Sequence, residues 1–222
     1  WTIISNGPMS WEGDVASTAI DYPLSTYLVA LCAGPYHEVT DTWRGELTAH
    51  PEGKPAQKLE VPLGIYCRAS LAHALDAERL FTETKQGFDF YHRNFGFPYP
   101  FGKYDQIFVP EFNAGAMENA GCVTIRDEYV FTSQATHYKY ERRADTVLHE
   151  LAHMWFGDLV TMQWWDDLWL NESFATWSAA ISQAEETEYD TAWVTFANVE
   201  KSWAYQQDQL PTTHPISTDA SD

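Results

Sequence analysis

Residues 147–172 read VLHELAHMWFGDLVTMQWWDDLWLNE, and the spacing within this stretch decides the architecture around it. His149 and His153 are four apart, so on a helix both imidazoles leave one face, one turn from each other. Glu150 is rotated about 100° from His149. It stands beside whatever the histidines hold rather than on it, where a base belongs. Gly157 is expected at the C′ position of this helix, which is placed at about 139–156. Eighteen residues separate His153 from Glu172. That is room for the helix to end, a loop to reverse and a second helix, at about 168–184, to return a carboxylate. His149, His153 and Glu172 would then hold one zinc ion and leave a fourth position for water, the arrangement of a catalytic rather than a structural site. Asp166 and Asp167 are candidates for orienting an imidazole.

Outward from this stretch the chain changes character. Residues 1–67 read as β, with runs at 1–5, 14–22, 25–32 and 59–67 punctuated by Pro8, Pro23, Pro35 and Pro51. The polar cluster at 50–55 is expected at a hairpin tip. From Ala69 to Phe95, apolar residues at helical spacing predict one long amphipathic helix ended by Gly96. Strands follow at 104–110, 115–119 and 122–131, and a last helix at 190–207. The fold expected is α+β: residues 1–68 as the closing strands of a β-domain, and 69–222 as a second domain built from a small mixed sheet and metal-binding helices.

Composition narrows the function. The 222 residues carry 13 Lys plus Arg against 32 Asp plus Glu, a formal charge of −19, which repels a phosphate backbone and argues against nucleic acid as a partner. Ten Trp, 12 Tyr and 12 Phe are too many for a disordered chain. No apolar run approaches the roughly 20 residues of a membrane-spanning helix. Cys32, Cys67 and Cys122 are far apart and without a CxxC pair, so they read as buried free thiols. The chain opens on Trp1-Thr2-Ile3-Ile4, with no initiator Met or signal sequence, and closes without a stop signal. A piece of a longer, cytoplasmic protein is the expectation.

Upstream of the histidines lies Gly115-Ala116-Met117-Glu118-Asn119. With the HExxH motif, the 18-residue spacing and the Asn171-Glu172 pair, it resembles the zinc aminopeptidases of the aminopeptidase N family. The resemblance covers most of 69–222, and more weakly 1–67. It implies a thermolysin-like catalytic domain, incomplete at its C-terminal end, and peptide substrates with a free N-terminus. Small Gly115 and Ala116 on an extended strand would let a substrate backbone approach. Glu118 would pair with the substrate's α-ammonium, limiting cleavage to one N-terminal residue. Glu150 would be the general base. The family's oxyanion tyrosine lies beyond the zinc glutamate, and nothing in the 50 residues after Glu172 matches it, so the remaining domains of the parent chain are expected to complete the site. Thermolysin-like endopeptidases place an Asp four residues after the zinc glutamate, where this chain has Thr176. Two other readings remain: epoxide hydrolysis by a bifunctional relative, whose Gly-Gly-Met-Glu-Asn is departed from at Ala116, and a catalytically inert scaffold, against which the intact His149, Glu150, His153 and Glu172 argue.

Overall fold

A computed structural model of the chain describes residues 1–48, 53, 55–217 and 219–220. The secondary structure is mixed α and β. The first residues form two small antiparallel pairs. One joins β1 (Thr2–Ser5) to β4 (Leu31–Gly34), and the other joins β2 (Met9–Glu12) to β3 (Val15–Thr18). The run expected at 25–32 is instead a 3-10 turn, Thr26–Leu28, leading into β4.

A five-stranded mixed sheet follows, in the order β5-β6-β7-β9-β8. β5 (Tyr36–Leu47) and β6 (Gln57–Arg68) form a long antiparallel hairpin whose tip, expected at 50–55, falls largely outside the described residues. β6 runs parallel to β7 (Tyr104–Val109), and β7 parallel to β9 (Cys122–Arg126). β8, only Ala116–Met117, closes the edge antiparallel to β9. One sheet thus combines two strands from before Ala69 with three from after it. Parallel neighbours need a crossover, and between β6 and β7 that crossover holds α1 (Ala77–Phe95). The single long helix expected from Ala69 is broken. Ala69–Ala74 form 3-10 turns, Leu75 is extended, and α1 begins after Asp76. Its end is as expected, with Gly96 in the left-handed conformation.

α1 packs on α2 (His137–His153) and α3 (Glu172–Glu186). Between helices and sheet lies an aromatic core in which the Phe88 ring meets Trp43, Tyr99, Tyr104 and Trp155 at centroid distances of 5.1–6.2 Å. The chain closes with α4 (Ala192–Phe196), a π turn at Ala197–Lys201 and α5 (Ser202–Asp208). Among the described residues no helix is long and apolar enough to cross a membrane, and the three cysteines are free.

The small β1–β4 pair packs on the larger sheet through Ile4, Ala30, Tyr66, Ile107 and Cys122, and approaches it most closely at Gly121. Gly121 has φ +66°, and a Cβ there would lie 2.6 Å from the Asn6 carbonyl oxygen. Only glycine takes this backbone geometry without strain and lets the first strand approach so closely.

Candidate metal and substrate site

α2 carries His149, Glu150 and His153 in its last turns, with Thr136 capping its start through a bond from the Lys139 amide. The helix ends at His153, earlier than the spacing predicts. There the His153 Nδ1 faces the Phe156 carbonyl at 3.0 Å and Phe156 bridges to Val160. The imidazole thus takes up a carbonyl that would otherwise lie beyond the helix end. Gly157 accordingly is not the C′ residue of α2. It sits in the following turn at φ +130°, where a Cβ would run into the Asn171 side chain and approach His153 Nδ1 at 3.1 Å.

The Phe156 carbonyl can only accept, so the proton of this bond sits on His153 Nδ1 and Nε2 is the nitrogen turned toward His149 and Glu172. The Nε2 atoms of His149 and His153 lie 3.0 Å apart, and Glu172 Oε2 is 3.6 Å from each. Glu172 is the first residue of α3, and a 3-10 segment at Trp165–Leu170 makes the reversal. Asp167 accepts the Trp169 indole N–H at 3.0 Å rather than an imidazole. His149 Nδ1 instead faces Thr176 Oγ1 at 3.4 Å, one turn along α3 from Glu172, and the Asp145 carboxylate lies close to the same ring.

Across His153 lies a second group. The ligand atoms of Glu118, Glu150 and His153 fall within 4.8 Å of one another, as do those of His149, His153 and Glu172. Glu118 and Asn119 are both 6% exposed, and Thr124 Oγ1 donates to Asn119 Oδ1 at 3.2 Å. Ala116 and Met117 form the edge strand β8, and Gly115 precedes it with its carbonyl accepting the Arg126 amide. His149, Glu150, His153, Glu172 and Glu118 therefore converge where α2 ends and α3 begins, with Gly115, Ala116, Met117 and Asn119 on the segment that carries Glu118, whereas Asp167 turns to Trp169.

The cleft is strongly acidic. Burial, reinforced by Glu118 and Glu172 and opposed by the two histidines, pushes the Glu150 carboxyl up to about 7. Hydrogen bonding from His149 and His153 holds Glu172 far below the ordinary carboxylate range. Burial alone would lower His153, but Glu172, Glu118 and Glu150 raise it to about 9. Asp158, 5% exposed, was missed by sequence reading and adds a further carboxylate with both oxygens unpartnered. Glu150 Oε2 and the Tyr104 hydroxyl are also buried without partners. Buried acceptors left this way cost free energy unless a cation or water meets them.

Two imidazoles and a carboxylate converging beside further buried carboxylates are a donor set suited to a catalytic metal ion. The sequence relationships agree in kind: the Peptidase family M1 domain matches residues 80–222, and the chain belongs to peptidase family M1. It is 56% identical over its whole length to Aminopeptidase N of Streptomyces lividans. It is 39% identical over 96% of its length to Probable aminopeptidase 2 of Sulfurisphaera tokodaii, and 37% identical over 99% to Leucyl aminopeptidase of Saccharolobus solfataricus. It spans 25–27% of the length of these relatives.

Proposed function

We propose that the chain carries the metal centre and the amine anchor of a zinc aminopeptidase, which releases single residues from the free N-terminus of peptides. The observation that carries this reading is the pair of clusters sharing His153, one of donors to an ion and one of buried glutamates facing it. A tetrahedral zinc ion bound at roughly 2.0–2.1 Å would set its donors about 3.3 Å apart, and the observed separations are 3.0 and 3.6 Å. His149, His153 and Glu172 would hold it, and it would supply a Lewis acid that polarises a carbonyl and acidifies water.

The chain's own residues account for the rest. Glu118 binds the substrate's α-ammonium through a charge-assisted hydrogen bond and fixes the scissile bond one residue away. The open side of β8 offers backbone groups to an extended peptide. Glu150 takes a proton from the attacking water onto its carboxylate and returns it to the leaving amine. Its place beside the three donors, with Oε2 buried and unpartnered, suits a group that passes a proton from the water to the leaving amine.

In this reading residues 69–222 begin a thermolysin-like catalytic domain, and β5 and β6 extend its sheet from the preceding β-segment. The oxyanion donor and the remaining walls come from other parts of the parent chain. Exposed Trp164, Trp165, Trp193 and Trp203 supply apolar surface for those parts to cover. The test is zinc content and hydrolysis of an aminoacyl-arylamide by the full protein. One zinc per chain and turnover that stops on zinc removal are expected. A protein that cleaves equally well after chelation would overturn the reading.

A further inference from the structure

Thr176 stands one turn into α3, and its hydroxyl touches both of the helices that carry the ion's donors. Oγ1 donates to the Glu172 carbonyl at 3.0 Å and lies 3.4 Å from His149 Nδ1. The first contact is a common one, since a threonine inside a helix often returns its hydroxyl to the carbonyl four residues earlier. The second is of another kind, because it crosses from α3 to α2 and ends on an imidazole.

Taken together, the two contacts decide where the protons sit. A carbonyl oxygen only accepts, so the single hydroxyl proton belongs to the bond with Glu172. Oγ1 therefore turns a lone pair to the ring, and His149 carries its proton on Nδ1. That leaves Nε2 bare on the side where it lies 3.0 Å from His153 Nε2 and 3.6 Å from Glu172 Oε2. A ring nitrogen binds a metal in this neutral form, and the bond made by the other nitrogen selects it. His153 reaches the same form through the Phe156 carbonyl. Asp145, one turn back along α2 from His149, is paired with Arg142 at 3.3 Å.

The two imidazoles differ in how firmly their surroundings hold them. The His153 side chain is 1% exposed, whereas that of His149 is 21% exposed and that of Glu172 is 54% exposed. A more exposed side chain keeps more rotamer freedom. His149 thus depends more than His153 on a specific bond to set its ring.

We propose that Thr176 is a positioning residue for the metal centre: its hydroxyl sets the tautomer and aim of His149 while tied to the backbone of Glu172, so one oxygen registers two donors that come from different helices. This rests on the zinc reading above. Partners of metal ligands typically alter metal affinity 10- to 100-fold when removed.

The test measures the zinc affinity of the full protein by competition with a chelator, for wild type, Thr176→Val and Thr176→Ser, with thermal unfolding of the zinc-free forms alongside. Valine keeps the branched shape and removes the hydroxyl, whereas serine keeps the hydroxyl and removes the methyl. Thr176→Val should bind zinc at least about tenfold more weakly, and Thr176→Ser should bind it as wild type does. Zinc-free Thr176→Val should unfold at the wild-type temperature, which a merely structural role would not allow. Wild-type affinity in Thr176→Val, an equal loss in Thr176→Ser, or a lower unfolding temperature of zinc-free Thr176→Val would each overturn the proposal while leaving the zinc reading intact. A wild-type protein that takes up no zinc would overturn both.

Discussion

His92 stacks on Trp43 with ring centroids 4.4 Å apart and planes 10° from parallel. Its Nδ1–H donates to the Phe88 carbonyl at 2.7 Å, and its Nε2 accepts the Tyr99 amide at 3.1 Å. A second proton would set one N–H against another, in a site that is 2% exposed. Burial accordingly lowers its pKa from 6.5 to about 4. Between these values the unfolded chain takes up a proton that the folded chain refuses, so stability falls as pH drops through this window. The full loss is about 3 kcal/mol. Thermal unfolding at pH 7 and pH 4.5 should show a larger drop for wild type than for His92→Phe. Equal drops would remove His92 as the source.

Glu83 has the opposite sign. Its Oε1 accepts the Tyr189 hydroxyl at 2.9 Å, while its Oε2 is buried and unpartnered. Burial, partly offset by Arg143, raises its carboxyl from 4.5 to about 7. The folded chain therefore keeps a proton that the unfolded chain has released, and this contribution disappears as pH rises through 7. Glu83→Gln should gain on wild type by about 1–3 kcal/mol between pH 5 and pH 8, as read from denaturant midpoints. A difference that does not change with pH would mean that Glu83 is ionised throughout.

Glu150→Gln preserves shape and removes the base. Zinc content should be unchanged, and kcat should fall by about 10² to 10⁴. His153→Ala should instead lose the metal itself. Atomic absorption beside steady-state kinetics separates the two. Ordinary turnover in Glu150→Gln would reassign the base.

Glu118→Ala should raise KM and lower kcat together for peptides with free N-termini, because the same contact binds and orients. Zinc content should stay at the wild-type value. Unchanged kinetics on such substrates would take the amine-anchoring role away from Glu118.

Gly121→Ala combines a positive φ with a Cβ 2.6 Å from the Asn6 carbonyl oxygen. It should cost more than 1 kcal/mol, seen as a lower denaturant midpoint. If Asn6 shifts, its bonds to Leu28, Ala30 and Ala120 are strained as well. A neutral effect would show that the contact is soft.

The local parts of the site were legible because their geometry is set by helical spacing alone. His149, Glu150 and His153 need only a helix, and Glu172 needs only a reversal of the right length. Elements set by distant contacts were harder to read. β5 escaped notice because much of its length is polar and exposed, including Glu38, Asp41 and Arg44, which erases the hydrophobic signal of a strand. The break before α1 was hidden by apolar spacing that continues through Ala69–Ala74 even though the backbone there is 3-10. α2 stops early for the sake of a ring-to-carbonyl bond at Phe156. Asp158 carries no local pattern at all. It joins Glu118, Glu150 and His153 only in the folded chain.

The parallel seam between β6 and β7, Leu63–Tyr66 against Tyr104–Ile107, bears on how this molecule can be cut. A version trimmed to begin at residue 69 would strip β7 of its neighbour on one side. Five of the six residues of β7 are buried. The bared strand would present an adhesive margin that recruits other chains. The smallest autonomous piece should therefore begin near Tyr36, with the whole hairpin retained.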